Sequence, residues 1–225
     1  MRATDPWHHL RGLEPLSLCD WPGKPCCVLF LGGCNLRCPT CHNAELAWNM
    51  ENQPALSQAQ VRAFLANRKR WLSGVTVTGG EPTAVPGLGK ILHEIALSGL
   101  PIKLDTNGML PEVVEVIIAE GLVTRFAVDV KGPFALYPRL TGGATTEEAA
   151  RRNLNSIFDL ARHNPTLFHF RVTKVPLLTD TDIDAVRALL PSGFDLTTQE
   201  YSPPRRSSNA LTDSEARRTA GNLVD

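Results

Sequence analysis

Cys34, Cys38 and Cys41 lie within eight residues of one another, in the order C-x3-C-x2-C. One short loop therefore offers three thiolates, which are soft ligands suited to zinc or to an iron–sulfur cluster. A four-iron cluster asks for four ligands, so three thiolates leave one iron open. An open iron can hold and activate a substrate. A zinc site built from Cys34, Cys38, Cys41 and His42 is the competing reading. Cys41 and His42 are chain neighbours, however, and reach one tetrahedral ion only with strain, and no second C-x2-C pair follows downstream. Disulfide pairing is weaker still, because the cysteines crowd into the first fifth of the chain and no secretory segment is visible. The spacing favours iron and sulfur and leaves zinc open.

Three further cysteines complete the six in the chain. Cys26 and Cys27 stand in the apolar run Cys26-Cys27-Val28-Leu29-Phe30-Leu31 and read as buried small hydrophobes on a strand. Cys19 reads as a plain loop cysteine. With none after Cys41, a second cluster held within this chain is not expected. The 225 residues suit a single domain over 1–225, with a core over about 20–202 and a tail, 203–225, expected to be mobile or to form a short helix. Hydrophobic residues make up 43% of the chain, enough for a sizeable core, and the formal net charge is zero. Nothing in that balance recruits nucleic acid, although Arg205-Arg206 could form a local basic patch. No apolar run approaches the roughly 18 residues of a membrane span. The expected setting is soluble, reducing and cytoplasmic.

The elements that must position the cysteines alternate between two periods. Cys26–Leu31, Val75–Thr78, Ile102–Asp105, Arg125–Val130, Phe168–Val175 and Phe194–Tyr201 read as strands. Between them lie helical stripes: Val61, Phe64 and Leu65, then Leu88, Ile91, Leu92 and Ile95. A helix opened by Pro111 follows, then a stripe of Ala150, Leu154, Ile157, Phe158 and Ala161, and another of Ile183, Val186 and Leu190. About six βα units with short connections predict an α/β fold on a parallel sheet. A closed eight-unit barrel needs about 250 residues, so the expectation is a partial, open TIM-type barrel, with a doubly wound open sheet as runner-up.

Parallel architectures bind ligands at the C-terminal ends of their strands. The first of these strands runs into the cysteine loop. The next ends in Thr78-Gly79-Gly80-Glu81-Pro82, then Lys103-Leu104-Asp105-Thr106-Asn107-Gly108, then Val128-Asp129-Val130-Lys131, and the fifth carries Arg171. Strand residues alternate faces, so Asp105, Asp129 and Arg171 point away from their apolar neighbours and converge in one cavity. They then either serve a ligand or pair among themselves as internal Asp–Lys and Asp–Arg bridges. Gly79-Gly80 fits a tight turn with positive φ, or a backbone edge that comes close to a cationic amino group.

Cys34-x3-Cys38-x2-Cys41 followed by Gly79-Gly80-Glu81-Pro82 resembles the radical S-adenosylmethionine superfamily. Asp20-Trp21-Pro22-Gly23-Lys24, Cys41-His42-Asn43 and Leu104-Asp105-Thr106-Asn107-Gly108 narrow the likeness to glycyl-radical activating enzymes, nearest to the short activating proteins of anaerobic ribonucleoside-triphosphate reductase. Similarity to pyruvate formate-lyase activating enzyme extends through Asp129-Val130-Lys131 and Arg171, and the whole covers roughly residues 10–180.

The resemblance implies a [4Fe–4S] cluster on Cys34, Cys38 and Cys41, with S-adenosylmethionine chelating the open iron. Gly79, Gly80 and Glu81 would line its amino group. Asp105, Thr106, Asn107 and Asp129 would serve the cofactor region, with Asp105, Thr106 and Asp129 matching positions that hold a monovalent cation. Lys131 and Arg171 would meet the cofactor carboxylate or ribose. A flavodoxin or ferredoxin would supply an electron, and a glycyl-radical enzyme would be the protein substrate. Thr40 stands where superfamily members commonly carry an aromatic residue, so adenine must pack elsewhere. The gap from Cys41 to Gly79 leaves no room for a ferredoxin-like insert. Two other functions compete: radical chemistry on a small molecule, as in carboxy-deazaguanine synthases, and a non-catalytic metal-binding or electron-transfer module.

Overall fold

A computed structural model describes residues 5–203, so the expectations for the 203–225 tail fall almost wholly outside the described residues, and those for Arg205-Arg206 do so entirely. One seven-stranded sheet runs in chain order: β1 (Leu10–Ser17), β2 (Cys26–Leu31), β3 (Gly74–Gly79), β4 (Ile102–Thr106), β5 (Arg125–Asp129), β6 (Phe168–Lys174) and β7 (Leu196–Glu200). Strands β2 to β7 are parallel throughout. β1 and β7 occupy the two edges, so the sheet does not close. The expected open barrel of six parallel strands is the one found.

β1 was not expected. It pairs antiparallel with β2, and its register shifts between Leu10 and Gly12 and again between Glu14 and Ser17. Pro15 and Gly12 hide it in the sequence, because both weaken a strand pattern and are tolerated only at an edge or a bulge. The core accordingly begins before residue 20, since Trp7 and Leu10 are buried in it.

Helices fill the crossovers. α1 (Ala44–Trp48) and α2 (Gln58–Arg68) follow β2, α3 (Leu88–Ala96) follows β3 and α4 (Pro111–Glu120) follows β4. The short α5 (Tyr137–Leu140) and the long α6 (Glu147–His163) follow β5, and α7 (Asp180–Leu189) follows β6. Local chemistry fixes their ends. Ser57 and Gln60 form a capping box on α2, Pro111 opens α4, and Gly121 closes it with φ of 66°.

Period two divides the sheet. Cys27, Leu29, Leu31, Val75, Val77, Leu104, Phe126, Val128 and Phe170 face the helices and pack with Ile91, Leu92, Ile95, Leu154, Ile157 and Phe158 in one core. The opposite parity carries Thr76, Lys103, Asp105, Asp129 and Arg171. Cys26 and Cys27 are buried as the sequence suggests, and Cys19 is exposed in the loop after β1. Among the described residues no helix is long and apolar enough to cross a membrane.

Outside the sheet, Glu94 of α3 clamps α2. Its carboxylate accepts from Arg62 Nε and Nη2, both at 2.7 Å, and from Gln58 Nε2 at 2.6 Å. Arg62, with Gln58, holds the Glu94 carboxyl well below its usual range, at about 2. A carboxylate depressed in the folded state stabilises above its unfolded pKa and loses that contribution as pH falls through its folded one. Glu94→Gln is therefore expected to lower the melting temperature by about 2–4 °C at neutral pH. That difference should shrink below pH 4.5 and nearly vanish near pH 2, as scanning calorimetry across this range would show.

Candidate active site

The loops after β2, β3, β4 and β5 surround one cavity of about 450 Å³, within the range of small-molecule sites. Cys34, Cys38 and Cys41 all line it, half-buried and free of disulfides. The loop that carries them leaves β2 through Gly33, whose φ of 92° suits glycine. Its backbone is tied on several sides. Arg37 Nη1 donates to the Cys34 and Leu36 carbonyls at 2.9 and 3.0 Å, and Arg37 N donates to Thr141 O at 3.1 Å. Trp48 Nε1 donates to Leu36 O at 2.9 Å.

The donor set speaks to the choice between zinc and a cluster. Among the described residues no three His, Cys, Asp or Glu side chains converge closely enough to hold one ion. Zinc needs its ligands gathered around a point, whereas each thiolate of a cluster takes a different iron and stands farther from its neighbours. His42, the fourth ligand of the zinc reading, packs edge-on against Tyr201 with ring centroids 5.6 Å apart. Burial pushes the Cys34 thiol up to about 11, with Glu81 and the other two cysteines adding to the effect. Burial raises Cys38 as well, and Lys131 opposes the shift. These are thiols that a metal must deprotonate as it binds.

Gly79 and Gly80 answer first to the backbone. Gly79 has φ of 130°, and a Cβ on it would lie 2.1 Å from Leu31 O. A Cβ on Gly80 would lie 2.0 Å from Gly33 O. Two main-chain bonds run through this contact, Gly80 N to Leu31 O and Glu81 N to Gly33 O, each 2.8 Å. The Gly79 carbonyl accepts from Asn43 Nδ2 at 3.1 Å, which ties the third cysteine's loop to this one.

Glu81 is buried, and its carboxylate faces into the protein. Oε1 accepts from Thr83 N, Thr83 Oγ1 and Thr106 Oγ1 at 3.1, 2.6 and 2.8 Å, and Oε2 accepts from Asn107 N at 2.6 Å. Burial raises its pKa and the four donors pull it back. Asn107 Nδ2 donates to Asn35 Oδ1 at 2.8 Å, closing a circuit among the loops after β2, β3 and β4.

Asp105, Asp129, Lys131 and Arg171 do converge. Arg171 Nε donates to Asp129 Oδ1 at 2.5 Å, and Nη2 lies 3.1 Å from Asp105 Oδ2. Lys131 Nζ lies 3.4 Å from Asp129 Oδ2, and buried Lys103 takes Asp105 Oδ1. The order Lys103–Asp105–Arg171–Asp129–Lys131 alternates in sign and carries one positive charge in excess. Burial alone would raise the Asp129 carboxyl, but Arg171 and Lys131 outweigh it and hold it well below the usual carboxylate range. Lys131 rises for the converse reason, burial being outweighed by Asp129. Tyr137 Oη accepts from Lys131 N at 3.0 Å and fixes the turn that presents this lysine.

Sequence reasoning missed the positions that join one loop to another, Asn35, Asn43 and Tyr137, together with the anchoring of Lys103. Asn43 belongs to the Cys41-His42-Asn43 motif, whose pattern alone gives it no role. Lys103 shares parity with Asp105 two residues on, and that was the available signal.

Known proteins resemble this chain in sequence and in fold. The family described as the Radical SAM superfamily matches residues 28–190. A Methanocaldococcus jannaschii protein with the provisional name glycyl-radical enzyme activating enzyme is 33% identical over 175 residues, which is 76% of this chain and 70% of that protein. The 7-carboxy-7-deazaguanine synthase of Hyperthermus butylicus is 37% identical over 49% of this chain and 44% of its own length. The pyruvate formate-lyase-activating enzyme of Staphylococcus aureus is 34% identical over 44% of this chain and 41% of its own length. The chain thus matches under half the length of those two relatives. In fold it resembles Streptococcus suis SuiB bound to S-adenosylmethionine, with a TM-score of 0.59 at 17% identity over 79% of this chain and 40% of that one.

The Glu81 circuit yields a direct test. Glu81→Gln exchanges one acceptor oxygen for an amide that faces a donor, leaving a buried N–H unpaired at a cost of about 2–3 kcal/mol. Thermal unfolding should show a melting temperature lower by about 5–10 °C. An unchanged midpoint would mean that the carboxylate does not hold these loops.

Proposed function

The chain belongs to the radical SAM superfamily, and on that premise we propose that it activates a glycyl-radical enzyme, with an anaerobic ribonucleoside-triphosphate reductase as the partner. The observation that carries this reading is a single cavity lined by three free thiols and by the charged ends of β4, β5 and β6. The family implies a [4Fe–4S] cluster and S-adenosylmethionine, and the donor set fits both. Cys34, Cys38 and Cys41 would hold the cluster. When bound and reduced by a flavodoxin or ferredoxin, the cluster and S-adenosylmethionine supply a 5′-deoxyadenosyl radical able to take a Cα hydrogen from glycine.

The remaining residues bind, orient and exclude water. One net positive charge in the alternating chain attracts the cofactor carboxylate. Lys131 meets it most readily, because its side chain is 30% exposed against 15% for Arg171. Asp129, 28% exposed, lies beside it and can accept from a ribose hydroxyl or an ammonium group. The backbone of Gly79 and Gly80 lines the cavity and would form the wall toward the amino group. Glu81, Thr106 and Asn107 hold that wall in place through their mutual hydrogen bonds and do not offer free side chains to the ligand. Leu36, Val130, Leu140 and Val175 supply apolar lining where a base can pack in the place left by Thr40. The open sheet leaves a side entrance for an extended peptide, which must bring its glycine into van der Waals contact for hydrogen transfer.

Two experiments test the reading. Anaerobic reconstitution should load about four irons per chain. Cys34→Ala, Cys38→Ala and Cys41→Ala should each abolish that loading, whereas Cys26→Ala and Cys27→Ala, in the strand, should keep it. Zinc in place of iron in anaerobically purified protein would contradict this assignment. The second experiment mixes reduced protein, S-adenosylmethionine and a candidate reductase without oxygen and records electron paramagnetic resonance. A doublet that disappears when the partner glycine becomes alanine is the expected result. 5′-Deoxyadenosine released with a small-molecule product, and no radical on any partner, would transfer the assignment to small-molecule chemistry.

A further inference from the structure

The monovalent cation expected beside Asp105, Thr106 and Asp129 does not fit the residues present. All four oxygens of the two aspartates already face a nitrogen cation: Lys103 and Arg171 at Asp105, Arg171 and Lys131 at Asp129. The third expected ligand is engaged too: the Thr106 hydroxyl donates to Glu81 and accepts from Gly108 N at 3.1 Å, which leaves it one lone pair. An alkali ion needs oxygen lone pairs and would have to share these oxygens with cations already held against them. It would also raise the excess positive charge of the group from one to two inside a partly dry cavity, where like charges repel strongly.

We propose that the Lys103 ammonium permanently takes the place of that cation, so that this protein positions its cofactor site without an alkali metal. Lys103 is suited to the task by position. It precedes Asp105 by two residues on β4, so both side chains leave the same face of the strand. Its side chain is only 4% exposed, and an ammonium buried this deeply must keep a partner. Asp105 is in turn met from the opposite side by Arg171, which leaves Lys103 as the sole cation on Asp105 Oδ1 among the described residues. Held so, Asp105 fixes one arm of Arg171 while the other arm fixes Asp129. Lys103 is thus a positioning residue, acting on the cofactor through Asp105 and Arg171. That link to the cofactor rests on the proposed function, whereas the exclusion of the alkali ion does not.

The experiment compares sodium, potassium and tetramethylammonium chlorides at equal ionic strength, since tetramethylammonium is too large to enter. Wild-type apoprotein should melt at the same temperature in all three and should not broaden the sodium-23 resonance. Lys103→Met should melt lower in tetramethylammonium and recover by about 3–5 °C in sodium or potassium. Lys103→Met combined with Asp105→Asn should lose that response. With anaerobically purified holoprotein, S-adenosylmethionine affinity measured by calorimetry should be equal in all three salts for wild type. For Lys103→Met it should be about tenfold weaker in tetramethylammonium and restored by sodium. Wild-type protein that broadens the sodium signal, or needs sodium or potassium for stability, would overturn the proposal, and that arm needs no variant to fold. A folded Lys103→Met variant indifferent to all three salts would overturn it equally. A salt response in the apoprotein with no effect on cofactor affinity would keep the cation replacement and refute its link to the cofactor.

Discussion

Arg171 bridges Asp105 and Asp129 across β4, β5 and β6, and the polar face of the sheet is organised around that bridge. The parallel register sets Asp129 beside Arg171 and Asp105 beside Ala127. A slip of one residue would turn these charges into the apolar core and bring Val128 or Phe170 into the cavity. Burying ions is costly unless each has a partner, so pairing constrains register as firmly as hydrophobic contact does. Lys103 and Lys131 terminate the chain of alternating charge, one sealed beneath the cavity and the other open to it.

A second constraint links this charged floor to the thiol-bearing rim. Glu81 gathers Thr83, Thr106 and the Asn107 backbone; Asn107 reaches Asn35, and Asn43 reaches Gly79. Three loops from three strand ends are thereby fixed to one another through buried hydrogen bonds. The glycines take part by permitting main chains to approach where any Cβ would collide. Such cross-linking holds the cysteines over the charged floor, which is what ligand binding between the two requires. Binding groups held by a rigid surround lose little freedom when a ligand arrives.

The helical stripes and apolar strands announced the open barrel, because periods of 3.6 and two survive in single sequences. Strand-end position and parity likewise bring Asp105, Asp129 and Arg171 to the one cavity that they line. β1 escaped notice because Pro15 and Gly12 break its pattern, and only pairing with β2 makes it a strand. Asn35 and Asn43 escaped because bonds from a side chain to a distant loop leave no periodic trace. Glu81 lines the cavity, as its motif implies, and both its oxygens also take internal donors that the motif does not reveal. A buried carboxylate is recognised by its partners, and those lie 2 to 26 residues away along the chain.

The three thiols and the charged floor line one cavity, and a cluster held by those thiols would keep one iron open to a cofactor bound there. Electron–nuclear double resonance on the reduced protein, with S-adenosylmethionine labelled with nitrogen-15 at its amino group, tests this most directly. A resolved nitrogen coupling to the cluster is the expected result. A cluster signal unaltered by the cofactor, with no nitrogen coupling, would contradict it.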